Sequence, residues 1–84
     1  MNRYYLSFVD TEAEKDRFLG ACIVEAEDTE GAIRKAWALK INPGGEIMIL
    51  TVPEKAYYLP LNRLMDRAEL AKYGPLHRLG DLKL

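Results

Sequence analysis

The chain has one cysteine, Cys22, and one histidine, His77. A thiolate is a nucleophile, and an imidazole moves protons near neutral pH. Cys22 sits in the middle of an apolar stretch, where a thiol stays protonated and inert. It is expected to be a core residue. His77 falls in the irregular C-terminal segment, with no triad motif around any serine or cysteine, and is expected on the surface. Asp10, Glu12, Glu14 and Asp16 alternate as oxygen ligands do in a calcium loop. The glycine and the distal glutamate of that loop are missing and Lys15 interrupts the run, so an exposed charged turn is expected. No catalytic, cofactor-binding or metal-ligating set emerges, and the chain is expected not to be an enzyme.

Two other groups of residues bear on binding. Asn42-Pro43-Gly44-Gly45 is a turn whose backbone amides could meet an anion. Phosphate loops lead from a strand into a helix, whereas this one leads from a helix into a strand. Asn42, Gly44 and Gly45 are therefore carried as a secondary ligand-binding candidate. Tyr57, Tyr58 and Arg63 are the candidate protein-recognition patch, because Tyr and Arg are enriched at binding hot spots.

The elements that position these residues follow from pattern. Arg3 to Val9 alternates and is rich in aromatic residues, which reads as a strand. Tyr4, Leu6 and Phe8 fall on one face, and Tyr5, Ser7 and Val9 on the other. Arg17 to Ala26 is a second strand. Phe18, Cys22 and Val24 are expected on one face, Leu19, Ala21 and Ile23 on the other, with Gly20 marking a bulge or a close backbone contact. Asp28 or Thr29 caps a helix running to about Lys40, which packs through Ala32, Ile33, Ala36, Trp37 and Lys40, with Leu39 beside them. Proline and two glycines end it, and a type II turn centred on Pro43 and Gly44 fits. Glu46 to Val52 is the third strand, apolar on both faces. Tyr57 to Pro60 is expected to be extended. Asp66 and Glu69 form a capping box for a short helix, 67–73, which Gly74-Pro75 ends.

The fold class is α+β in the order β-β-α-β-α. Its three-stranded mixed sheet has order 2-1-3, one helix on a face and a C-terminal helical segment. Residues 1–52 form the ββαβ core and 53–84 a covering tail, within one domain spanning 1–84. A sheet that is apolar on both faces needs a second cover, from the tail or from a partner chain.

Composition narrows the function classes. The chain has 84 residues, 49% hydrophobic and 30% charged, with a net charge of −1. That apolar content suits a folded domain. Lys and Arg number 6 against 9 acids up to Val52, and 6 against 4 beyond it. The asymmetry is too small to carry a claim, and the overall balance argues against nucleic acid as a partner, because phosphate binding calls for a basic face. A single cysteine excludes an internal disulfide. No apolar run approaches membrane-spanning length and acids begin at Asp10, so a cytoplasmic chain with no membrane contact is expected.

The stretches Arg3-Tyr4-Tyr5-Leu6-Ser7-Phe8, Phe18-Leu19-Gly20, Ile23 to Ala26, Ala32-Ile33 and Ile41-Asn42-Pro43-Gly44-Gly45-Glu46 resemble a group of small bacterial and phage proteins of no established activity. Lys40 stands where that pattern has glycine. The resemblance implies no site residue and no cofactor. It favours a small adaptor or inhibitor by analogy alone. The leading expectation is thus a non-enzymatic protein-interaction module, with self-association as one form. The alternatives are a small-ligand or nucleotide-binding domain using Asn42 to Glu46, and a nucleic-acid binder using Arg63, Arg67, Lys72 and Arg78.

Overall fold

The computed structural model of the protein describes residues 1–12 and 17–73. Strand β1 (Asn2–Asp10) pairs antiparallel with β2 (Arg17–Ala26), from Asn2 opposite Ala26 to Asp10 opposite Arg17. Strand β3 (Glu46–Thr51) pairs antiparallel with the other side of β1, from Tyr4 opposite Thr51 to Val9 opposite Glu46. The sheet order is β2-β1-β3, as the pattern predicts. The sheet is wholly antiparallel rather than mixed. Strands β2 and β3 do run in the same direction, but β1 lies between them and they never share a ladder.

Helix α1 (Thr29–Ala38) connects β2 to β3. The Asp28 carboxylate accepts the Gly31 N–H at 2.7 Å and caps its first turn. The helix ends two residues before Lys40, in a Schellman motif. Lys40 N–H donates to Trp37 O and Ile41 N–H to Ala36 O, both at 3.0 Å, while Lys40 adopts φ 60°. The packing face also differs from expectation. Ala32 and Ala36 are buried against the sheet, Ile33 is half-buried and Trp37 is 59% exposed. Two alanines let the helix backbone approach closely, which turns the bulkier indole outward. Lys35 folds back so that its ammonium donates to Glu25 O at 3.1 Å.

Each face of the sheet carries its own core. On the α1 side, Tyr4, Leu6, Phe8, Cys22, Val24 and Ala26 pack with Ala32 and Ala36. On the other side, Tyr5, Ala21 and Ile23 pack with Val52, Ala56 and Leu59. The start of the β2 pattern is inverted relative to strict alternation. Leu19 joins the α1 side and Phe18 the far side. The cause is a β-bulge: Phe8 faces Gly20 while Val9 faces Phe18, so Leu19 has no partner on β1. An extra residue inverts the alternation beyond it. Gly20 supplies the positive φ, 134°, at this point.

The second cover is the chain's own residues 53–73. Glu54–Ala56 is a 3-10 turn. Tyr57 and Tyr58 continue the turn rather than an extended segment, with Leu59 N–H bonded to Ala56 O at 3.2 Å. Leu59 and Ala56 are driven into the far core, and only a turn brings both down together. The chain then runs beside the outer edge of β2. Asn62 N–H donates to Ile23 O at 2.8 Å, and Ala21 and Met65 exchange both main-chain bonds at 2.9 and 2.7 Å. Met65 is wholly buried. Helix α2 (Arg67–Ala71) is capped by Asp66, whose carboxylate accepts Glu69 N–H at 2.8 Å. It is shorter than the predicted 67–73 because Tyr73 N–H bonds to Leu70 O, tightening the last turn. Gly74 and Pro75 lie outside the described residues. Among the described residues no helix is long and apolar enough to cross a membrane.

Candidate functional site

Among the described residues the most exposed apolar strand is β3. It carries Ile47, Met48, Ile49 and Leu50 in a row, and no residue of the strand is buried. Met48 is 42% exposed. The reason is position. Strand β3 ends the sheet, and α1 lies over β2 and the adjoining part of β1. Ile47 and Ile49 reach the α1-side core only from its margin, and Leu50 reaches the far core in the same way.

The main chain of β3 is open along one side. Val52 N–H donates to Arg3 O at 2.8 Å, and Tyr4 stands opposite Thr51. In an antiparallel ladder, alternate residues turn their N–H and C=O toward the partner. Met48, Leu50 and Val52 therefore bond to β1, and Ile47, Ile49 and Thr51 point their main-chain groups outward. Among the described residues nothing bonds to those outward groups. The opposite edge, on β2, is closed by Asn62 and Met65. The expected site residues did not include β3. A signal was present: order 2-1-3 makes β3 an edge, and its run contains no lysine or proline to blunt it.

Tyr57, Tyr58 and Arg63 occupy different environments. The Arg3 guanidinium lies over the Tyr57 ring, 4.2 Å from its centroid. It also donates to Tyr57 O at 2.6 Å and to the Glu25 carboxylate at 3.3 Å. Tyr57 thus ties the covering segment to β1. Tyr58 is 58% exposed. Arg63 is bound to the Glu69 carboxylate at 2.5 Å, across the start of α2. Arg67 lies over the Phe18 ring at 5.2 Å. Two of the four basic residues proposed for nucleic acid are therefore engaged within the chain, and Arg78 lies outside the described residues.

The Asn42 turn is built on glycine. Asn42 Oδ1 accepts Gly44 N–H at 2.8 Å, while Gly44 and Gly45 adopt φ of 91° and 79°. The bend falls at Gly45, and among the described residues no Asn42 O to Gly45 N–H bond closes the type II turn expected at Pro43 and Gly44. Gly45 backs against the Val9 carbonyl with no room for a side chain. Beside the turn is a cleft of about 520 Å³, lined by Asp10, Glu12, Leu19, Pro43, Gly45 and Glu46 among others. Its carboxylates come from two separate segments, the β1 end and the β3 start, which the Val9–Glu46 pairing brings side by side. That charge opposes a phosphate or any other anion. Asn42 Nδ2 is buried without a hydrogen-bond partner among the described residues, but Asn42 does not line the cleft.

Cys22 lies wholly inside the α1-side core, and burial pushes its thiol up to about 12, so it is un-ionised at neutral pH. Among the described residues no three acidic, histidine or cysteine side chains are grouped to hold a metal ion. His77, Glu14 and Asp16 lie outside the described residues. No known protein family, curated protein or solved structure matches the chain.

Proposed function

We propose that the chain is a non-enzymatic protein-interaction module that takes up a partner's extended strand on the outer edge of β3. One observation carries the reading: an unpaired edge whose four consecutive apolar side chains are all left partly in water. Strand addition satisfies both deficits together. Main-chain bonds to Ile47, Ile49 and Thr51 supply affinity, and Met48 and Leu50 on one face with Ile47 and Ile49 on the other supply specificity. Natural edge strands are normally blunted by charge, proline or a cover, and the Ile47–Leu50 run of β3 has none of these among the described residues.

The test is photo-crosslinking in the cells that make the protein. A benzophenone amino acid is placed at Met48, with a control at Arg34 on the exposed side of α1. Discrete adducts from position 48 and none from position 34 are expected. Equal, diffuse labelling from both positions would remove the reading.

A further inference from the structure

We infer that the strand taken up by β3 is β3 of a second copy, paired antiparallel about Ile49. The inference rests on the strand-addition reading and names its partner. The outward main-chain groups belong to Ile47, Ile49 and Thr51, spaced evenly about the central residue. An antiparallel copy centred on Ile49 sets Ile47 opposite the second copy's Thr51 and Ile49 opposite the second copy's Ile49. Every outward N–H and C=O of the strand then finds a partner. A shift of two residues toward the C-terminus would set Ile47 opposite Pro53, which has no N–H to give.

Side chains agree with this register. On the α1 face Ile49 meets its own copy. On the far face Met48 meets the second copy's Leu50, an apolar pair between residues that the single chain leaves part-exposed. The one charge of the strand, Glu46, falls opposite the second copy's Val52. The two Glu46 carboxylates are thereby placed at opposite ends of the seam, whereas a parallel pairing would set them side by side. The two-fold axis stands perpendicular to the sheet, so both copies of α1 lie on the same face. Each helix sits over its own β2, which leaves the seam clear. The product is one six-stranded antiparallel sheet (three strands from each copy), closed by symmetry.

The experiment is sedimentation equilibrium on the purified full chain from micromolar to millimolar, with amide hydrogen exchange at both extremes. A dimer is expected. Met48→Lys should weaken it about tenfold or more, while Met48→Leu should keep it. The Ile47, Ile49 and Thr51 amides should exchange fast in dilute protein and slow in the dimer. Those of Met48 and Leu50 should be slow throughout. A dimer whose edge amides stay fast overturns the inference, as does edge protection in a monomer, which means cover from within the chain. A monomer that still crosslinks from position 48 to a different protein overturns the second copy and leaves the interaction reading standing. A monomer with no such adduct overturns both.

Discussion

The Arg3 guanidinium stacks on the Tyr57 ring at 4.2 Å and donates to the Tyr57 carbonyl at 2.6 Å. One side chain near the start of β1 thus holds the first turn of the covering segment, 54 residues along the chain. Arg3→Ala should cost about 1–2 kcal/mol, from a charged hydrogen bond and a partly exposed cation–π contact. Arg3→Lys keeps the charge but loses the planar fork, and should recover less than half of the loss. Urea unfolding checks the magnitude. Limited proteolysis should show faster cutting near Tyr57 in Arg3→Ala.

Gly45 and Gly44 separate two kinds of glycine requirement. A Cβ on Gly45 would collide with the Val9 carbonyl oxygen, and its φ is 79°. Gly45→Ala should cost about 2–3 kcal/mol, from steric and backbone strain together. A Cβ on Gly44 meets open space at φ 91°. Gly44→Ala should therefore cost only the left-handed penalty, about 1–2 kcal/mol. Equal losses in thermal unfolding would show that the Val9 contact is not rigid.

Lys40 closes helix α1 at φ 60°, a position that suits glycine. Its main-chain bond to Trp37 O does not depend on its side chain. Lys40→Gly should raise stability by about 0.5–1 kcal/mol, the relief of left-handed strain less the added freedom of the unfolded chain. A fall in melting temperature would mean that the lysine side chain contributes more than its geometry costs.

Alkaline stability should follow Cys22. Burial raises its thiol from 9.0 to about 12. Below pH 9 the thiol is protonated in both folded and unfolded chains, and its contribution is fully present. Between 9 and 12 only the unfolded chain releases the proton, so stability falls by up to about 1.4 kcal/mol per pH unit. Tyr5, raised by burial and then by Cys22, adds a fall of the same sign above 10.0. Cys22→Ala should cost about 1–2 kcal/mol at neutral pH and flatten the thiol's part of the alkaline limb. Urea titrations from neutral to strongly alkaline pH decide it, and an unchanged limb would place the titration elsewhere.

The strands were legible because their signals are local. Alternation around Leu6 and Phe8, the Asp28 cap and the Asn42 turn each act within a few residues. Two apolar faces on one sheet also implied a second cover. What escaped depended on single-residue offsets and on distance. Leu19 is one unpaired residue, and it inverts the faces of its strand end. Trp37 looks like core by spacing, but Ala32 and Ala36 bring the helix too near the sheet for an indole. The acidic cleft was hidden because Asp10 and Glu46 meet only through the β1–β3 register. The β3 edge was readable in principle, since sheet order names the end strand. The expectation instead followed tyrosines and arginine, of which Tyr57 and Arg63 serve contacts within the chain.

The covering segment has a consequence for how the protein is made. A ribosome releases the chain N-terminus first. Strands β1, β2 and β3 and helix α1 are all complete by Thr51. At that moment Tyr5, Ala21 and Ile23 line a sheet face with nothing over it, and the β2 edge that Met65 later closes is bare. Until the segment between Thr51 and Met65 has left the ribosome and docked, that face and that edge are open to off-pathway association. A premature stop within that interval would yield a half-clad sheet rather than a shorter version of the fold.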